Sequence, residues 1–299
     1  MRIGTRRSAL ALAQAELVAG MLGGAEIVPI VTAGDRGAGG GDKSRWVAEL
    51  EQALLDGRVD LAVHSAKDVP GEPAPGLELL GSPARAAAED VLCGSSDLAG
   101  LAHGARVGTS SLRRLAQLRA AREDLEVVPV RGNVDTRLAK LAEGTDGLAA
   151  IVLARAGLQR LGRTEEAGGV LDPARFVPAP GQGTLALEGR ADDQRARAAV
   201  GALSDPATFA CLQAERALAR ELGADCDTPL GAHAVPGAGD ELLLRAWVGL
   251  PDGSAWAADE LAGERGDPQA LGRAVAARLR AVGAEDLLRA AREAGGDGN

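Results

Sequence analysis

The stretch 105–141, ARVGTSSLRRLAQLRAAREDLEVVPVRGNVDTRLAKL, decides the fold. Residues 107–108 and 126–130 read as buried strands, and 112–122 and 134–141 as the helices that follow them. Strands alternating with helices predict parallel or mixed sheets covered on both faces. Such sheets bind ligands beyond the carboxyl ends of their strands, often between two domains. Both strands here run out into chemistry. The first ends in Gly108-Thr109-Ser110-Ser111-Leu112-Arg113-Arg114, the second in Val130-Arg131-Gly132-Asn133-Val134-Asp135-Thr136-Arg137. A helix start offers unpaired N–H groups and a positive dipole end to an anion, and guanidinium groups add bidentate recognition of carboxylate or phosphate. A serine cap followed by surface arginines is the plain alternative for the first segment. Between residues 105 and 140, eight Lys or Arg stand against four Asp or Glu, a local positive field that points to a polyanionic ligand.

The same alternation extends outward. A strand at 2–5 leads into a helix capped by Ser8; strands at 26–31 and 61–64 flank a helix at 47–55, and another strand falls at 149–153. From about residue 206 the texture changes. A helix over 207–222 precedes an apolar run at 242–248, a Pro-Asp-Gly turn at 251–253 and a helical tail, the pattern of a small α+β domain.

The chain as a whole carries a net charge of −9, which argues against general nucleic-acid binding. Aromatics are only 2% with no Tyr, which leaves little to stack bases on, so a small polycarboxylate is the better candidate ligand. No window approaches the roughly 18 apolar residues of a membrane helix. Arg6-Arg7 followed by SALALAQA superficially resembles an export signal, but Gln14 and Glu16 interrupt its short apolar part, so a cytoplasmic protein is expected. Cys93, Cys211 and Cys226 are odd in number and have no paired spacing, which suits a reducing compartment.

Only three of the 33 basic residues are lysines: Lys43, Lys67 and Lys140. A chain that uses Arg wherever a cation suffices keeps Lys where a compact ammonium matters. Lys67 stands in VHSAKDVP (63–70), which offers imidazole, hydroxyl, ammonium and carboxylate just past a short strand. The plain alternative is a helix start, with Ser65 or Asp68 capping and Lys67 solvated. Lys43 stands in the glycine-rich GDRGAGGGDKSR (34–45), which reads equally as a linker or as a lid over a site. Cys226 lies in GADCDTPLG (223–231) between two aspartates that would raise its thiol pKa. A permanent covalent attachment suits those surroundings better than a freely reactive thiolate, and a small buried hydrophobe is the alternative.

Taken together, these segments resemble the porphobilinogen deaminase (hydroxymethylbilane synthase) family. The match runs from IGTRRSALAL (3–12) to the C-terminal domain, with HSAKDVP, VGTSSLRR, VRGNVDTR, AGLQRLG and PAPGQG in family order. The resemblance implies an α/β fold of two periplasmic-binding-protein-like (type II) domains, 1–85 plus 184–203 and 88–179, facing each other across a cleft. A small α+β domain, 206–295, is expected to carry the cysteine loop. The implied activity is a transferase of tetrapyrrole biosynthesis that joins four porphobilinogen units head to tail onto a dipyrromethane cofactor. Ammonia leaves at each addition, and hydrolysis then releases hydroxymethylbilane. By the same resemblance the cofactor is held on Cys226 by a thioether, and Asp68 is the catalytic carboxylate. Lys67, Ser65, Thr109, Ser110, Ser111, Arg113, Arg114, Arg131, Gly132 and Asn133 match cofactor contacts. Arg6, Ser8, Arg137, Arg160 and Gln182 match substrate contacts, and Lys43 and Trp46 the lid.

No metal, nucleic acid or membrane is implied. A monomer that hands its product to uroporphyrinogen-III synthase is. The chain departs from the family pattern in its glycine-rich lid, in Trp46 where Phe is common, and in Ala224-Asp225 where Gly-Gly is usual. The rival reading is a non-enzymatic solute-binding protein of the same two-domain architecture for a small anion. The third domain with Cys226 and the lack of an export signal oppose it.

Overall fold

The computed structural model describes residues 1–31, 44–225 and 228–296. β1 (Arg2–Arg6) buries Ile3 and Thr5 and leads into α1 (Ala9–Met21), an Ala- and Leu-rich helix. Ser8 caps that helix by accepting a hydrogen bond from the Ala11 N–H at 3.3 Å. β2 (Glu26–Ile30), α2 (Ser44–Leu55), β3 (Leu61–Ser65) and β4 (Leu77–Gly81) follow. β1 lies parallel to both β2 and β3.

The chain then crosses into a second sheet through β5 (Asp90–Cys93), β6 (Arg106–Gly108), α3 (Leu112–Ala121), β7 (Glu126–Val128), α4 (Val134–Ala142), β8 (Leu148–Ala154) and α5 (Arg155–Arg160). β6 is parallel to β7 and β8, with β5 as an antiparallel edge. A return passage brings β9 (Leu185–Arg190) back between β3 and β4, antiparallel to both. The first sheet therefore has the order β2-β1-β3-β9-β4 and the second β5-β8-β6-β7.

α6 (Gln194–Leu203) covers the first sheet and α7 (Pro206–Glu221) leads out of it. α7 starts on an Asp205 cap with Pro206 in its first turn, where a missing N–H costs nothing. β10 (Leu230–Pro236), β11 (Glu241–Gly249) and β12 (Trp256–Glu264) form an antiparallel meander, closed by α8 (Pro268–Ala281) and α9 (Ala284–Gly296). The expected α/β architecture with a smaller α+β C-terminal part is what the chain adopts.

One element departs from expectation. The chain does not pass from the Pro-Asp-Gly turn straight into a helical tail, because β12 intervenes. Its sequence, WAADELAGE, is poor in β-formers, and its residues alternate between exposed and half-buried. β12 is an edge strand, held in place by pairing with β11 and by Trp256 stacking on Trp247 at 6.5 Å.

α7 is the joint of the molecule because it is apolar on two sides. Ala210, Ala214 and Leu218 enter the C-terminal core with β10, β11 and α8. Leu212 instead packs with Ala66, Val69 and Ala186 against the first sheet. Between these faces sits Glu215, fully buried, which pairs with Arg85 of the crossing segment at 2.7 Å. The same carboxylate accepts from Gly181 N–H (2.6 Å) in the return passage and from Ala234 N–H (2.7 Å) in β10. Arg85 also donates to Gln182 O (2.8 Å) and Ala234 O (3.3 Å).

Removing one partner of a buried, fully bonded pair leaves an uncompensated charge. Arg85→Met should therefore cost about 3–5 kcal/mol of stability, read as a lowered urea midpoint. A loss under about 1 kcal/mol, the worth of an exposed pair, would show that the junction is not held this way.

Candidate active site

The segments after β1, β3, β6, β7 and β8 lie at the carboxyl ends of parallel strands, whereas 178–183 belong to the return passage before β9 and the loop 223–231, described except at 226–227, joins α7 to β10. In the first sheet, Arg6 closes β1 and Ser65 closes β3, with Ala66–Asp68 forming a 3-10 turn directly after it. Ser65 does not cap that turn with its side chain. Its hydroxyl is instead hydrogen-bonded to the amide of Gln14 on α1, with Gln14 Nε2 2.9 Å from Ser65 Oγ. Lys67 and Asp68 are half-buried on the turn. His64 is not part of this group. Alternation along β3 turns it to the opposite face, where Nε2 lies 2.8 Å from Glu188 Oε2 of β9, both side chains buried.

In the second sheet, Thr109–Ser111 hold the strand-to-helix passage by local bonds. Thr109 Oγ1 accepts from Ser111 N–H (3.2 Å), and Ser110 donates to Val130 O (2.9 Å). Ser111 caps α3, so the plain reading of that serine is correct. The following arginines, however, are not on the surface. Arg113 and Arg114 are only 3% and 6% exposed and converge on the buried carboxylate of Asp90. Arg113 Nη2 lies 2.7 Å from Oδ2 and Arg114 Nη2 2.6 Å from Oδ1, while their remaining Nη1 groups donate to Val177 O and Val152 O. Burial opposes ionisation of Asp90, but the two guanidiniums outweigh it and hold the carboxyl well below the usual carboxylate range. Two cations on one anion leave a net positive charge fixed beneath the first turn of α3.

The next rim is the passage from β7 into α4. Gly132 has φ +121, and a Cβ there would sit 2.8 Å from Thr136 Cβ, so only glycine allows the turn into α4. Asn133 caps α4 at Thr136 N–H (2.9 Å), and Arg137 Nε donates to Gly132 O (2.8 Å). Arg131 is exposed and, with Thr109, Ser110 and Ser111, lines a pocket of about 170 Å³. Arg160 donates from Nη2 to Gly183 O (2.6 Å), and its buried Nε has no partner among the described residues. Burial pushes its pKa down to about 10, still a cation at neutral pH. An unsatisfied guanidinium N–H is chemically suited to a carboxylate-bearing group.

The two rims meet. A Cβ on Gly157 of α5 would lie 3.9 Å from Val134 of α4 and 4.0 Å from Leu10 of α1, so the first turns of those helices converge there. From the other side, Gly181 packs against Ala66, and Gln182 donates to Asp90 Oδ1 at 2.9 Å. The Lys67–Asp68 turn is thereby tied through the return passage to the arginine pair. Gln182, expected as a substrate contact, spends its amide N–H groups on Asp90 and Ala88 O and keeps a buried Oε1 with no partner among the described residues. Ser8 spends its hydroxyl as the cap of α1. Lys43 and Cys226 lie outside the described residues, and of Trp46 only its place in α2 is described. Sequence reasoning missed Gln14 and Asp90. The one available signal for Gln14 was an amide in an otherwise Ala/Leu helix face, and for Asp90 there was none.

Comparison with known proteins gives three findings. The sequence model described as "Porphobilinogen deaminase, dipyromethane cofactor binding domain" matches residues 1–198, and that of "Porphobilinogen deaminase, C-terminal domain" matches 209–281. The porphobilinogen deaminase of Acidothermus cellulolyticus is 47% identical, covering 99% of this chain and 93% of that protein, and that of Roseiflexus castenholzii is 45% identical over 96% and 98%. Among solved structures, a nutrient binding protein from Burkholderia cenocepacia bound to methionine aligns with TM-score 0.43 and 12% identity, covering 69% of this chain and 92% of that one.

The geometry separates enclosed from solvent-facing charge. Asp90→Asn strips the counter-charge from two buried guanidiniums and should cost about 3–5 kcal/mol in urea unfolding. Arg131→Leu, at an exposed position, should stay within about 0.5 kcal/mol of the parent. Equal costs for the two would refute that division.

Proposed function

The chain belongs to the porphobilinogen deaminase family, and from that membership we propose how its residues divide the work of the reaction. The enzyme is a transferase of tetrapyrrole biosynthesis with a dipyrromethane cofactor. Its substrate is porphobilinogen, four units of which are joined head to tail before hydroxymethylbilane is released by hydrolysis. The dipyrromethane, when bound, supplies the primer end from which the chain grows.

Each pyrrole ring carries acetate and propionate groups, so primer and product form a dense polycarboxylate. Lys67, Arg131 and the Thr109–Ser111 hydroxyls hold the primer's carboxylates, and Asn133 and Gly132 shape the backbone beside them. Arg6, Arg137 and Arg160 receive the incoming ring's carboxylates, Arg160 through its unsatisfied Nε. Arg113 and Arg114 supply fixed positive potential from behind. Asp68 has the opposite sign and takes no part in holding carboxylates. Departure of ammonia leaves positive charge on the substrate's pyrrole, and the Asp68 carboxylate stabilises that charge and accepts or returns the proton at the pyrrole N–H. The observation that carries this reading is the path of contacts from the Ala66–Asp68 turn, packed against Gly181, through Gln182 to Asp90 and its two arginines. It brings a carboxylate-bearing turn and an anion-holding rim to one place.

Cys226 is the proposed attachment point. The other two thiols are poor candidates on physical grounds: burial pushes Cys93 up to about 11 and Cys211 up to about 12, and both side chains are enclosed in cores. We further propose the limits 1–85 plus 184–203, 88–179 and 206–295 for the three domains, a monomer working in the cytoplasm, and delivery of the product to uroporphyrinogen-III synthase. Lys43 and Trp46 are proposed to cover the site.

Two measurements test this. Asp68→Asn should lower kcat by about 10²–10⁴-fold, the range for loss of a positioned acid–base group, while KM changes by less than a few-fold and the protein stays folded. Turnover within a factor of a few of the parent would exclude Asp68. Cys226→Ala should have an intact mass equal to its bare sequence mass and no turnover, whereas Cys93→Ala and Cys211→Ala keep the covalent adduct. An adduct on either of those two cysteines would overturn the attachment site.

A further inference from the structure

α7 does more than anchor the C-terminal part. The residue after Glu215 is Arg216, and its guanidinium reaches the segment directly behind the Asp68 turn. Nη1 donates to Val69 O at 3.2 Å, and Nη2 donates to Pro70 O at 2.6 Å and Gly71 O at 2.9 Å. Three consecutive carbonyls of one segment thus point at a single rigid donor fork. Such a fork restrains both the position and the direction of that backbone. The charge lies in a mostly enclosed polar patch. Burial pushes the Arg216 pKa down to about 10, with Arg220 lowering it further and Glu188 and Glu72 opposing. It remains a cation at neutral pH.

Backbone bonds also restrain the turn itself. Val69 N–H closes it onto Ala66 O at 3.2 Å, and Ala66 N–H donates to Thr184 O at 3.0 Å. Ala66 and Val69 then pack on Leu212, one turn of α7 before Arg216. Gly181, at φ +73, leaves room for Ala66, since a Cβ there would come within 2.9 Å of Ala66 Cβ. The residues on both sides of Lys67–Asp68 are therefore seated on α7, which is contributed by the C-terminal part of the chain.

We propose that Arg216 is a positioning residue for the reaction, fixing the carboxylate of Asp68 through the backbone of residues 69–71. The inference rests on Asp68 being the catalytic carboxylate. Because Glu215 locks the same helix turn to Arg85, the catalytic turn is registered against the crossing segment and β10 by two adjacent residues of one helix.

The test uses holoenzyme with cofactor content checked by intact mass, comparing Arg216→Gln, Arg216→Lys, Asp68→Asn and the double variant Asp68→Asn with Arg216→Gln. Arg216→Gln should lower kcat at least tenfold while cofactor content is kept and KM for porphobilinogen moves less than about twofold. Arg216→Lys, which keeps the charge but loses the fork, should fall between it and the parent. In the Asp68→Asn background, Arg216→Gln should cost little more, because a residue acting through Asp68 has nothing left to position. If Asp68→Asn is slow and Arg216→Gln subtracts the same factor in both backgrounds, the reading of Asp68 stands and this inference falls. If Asp68→Asn alone keeps the parent's turnover, the reading of Asp68 fails, and this inference with it. Should Arg216→Gln not fold, Arg216→Lys decides: parent kcat overturns the inference, and a lowered kcat at full cofactor content upholds it.

Discussion

The Arg85–Glu215 pair is the constraint on which the rest of the molecule depends. Two sheets joined by two chain passages, with a third sheet beyond them, would have no defined relation without a shared fixed point. Glu215 supplies it, because its two oxygens take the crossing segment through Arg85, the return passage through Gly181 and the third sheet through Ala234. A fully buried carboxylate tolerates no missing partner, since each unmade bond there carries a desolvation cost that no water relieves. Its three donor residues therefore have to arrive together. The placement of the turn bearing Asp68 inherits that demand, because Arg216 follows Glu215 on the same helix.

A second buried carboxylate organises the arginine-bearing rim by the opposite logic. Asp90 is outnumbered, with Arg113 and Arg114 both in contact and Gln182 adding a neutral donor. The excess positive charge is built into the fold below α3. Thr109–Ser111 and the exposed Arg131 line a pocket in the same region. Arginine suits both layers. It stays charged when buried and its fork fills several acceptors at once, which explains why so acidic a chain concentrates arginines in this one region.

The motif segments were legible in the sequence because their local requirements are strict. Gly132 is demanded by a left-handed turn, Ser111 and Asn133 by helix starts, and all occur beside side chains able to bind anions. The role of each charge was less legible. Arg113 and Arg131 are equally cationic on paper, yet one is enclosed against Asp90 and the other faces solvent. His64 and Ser65 are neighbours, yet strand alternation sends one to Glu188 and the other to Gln14.

The sequence by itself determined the alternation of strand and helix, the family to which the chain belongs, and the carboxyl-edge location of its motifs. These follow from local propensity and spacing, which are properties of short segments. Only the tertiary structure decided that β9 enters the first sheet from a distant part of the chain and that β12 is a strand at all. It also decided that Asp90 meets two arginines and that α7 holds the turn bearing Asp68. Each of these is a pairing between residues far apart in the chain, governed by which buried charges and backbone groups must find partners. Local pattern carries no record of that requirement.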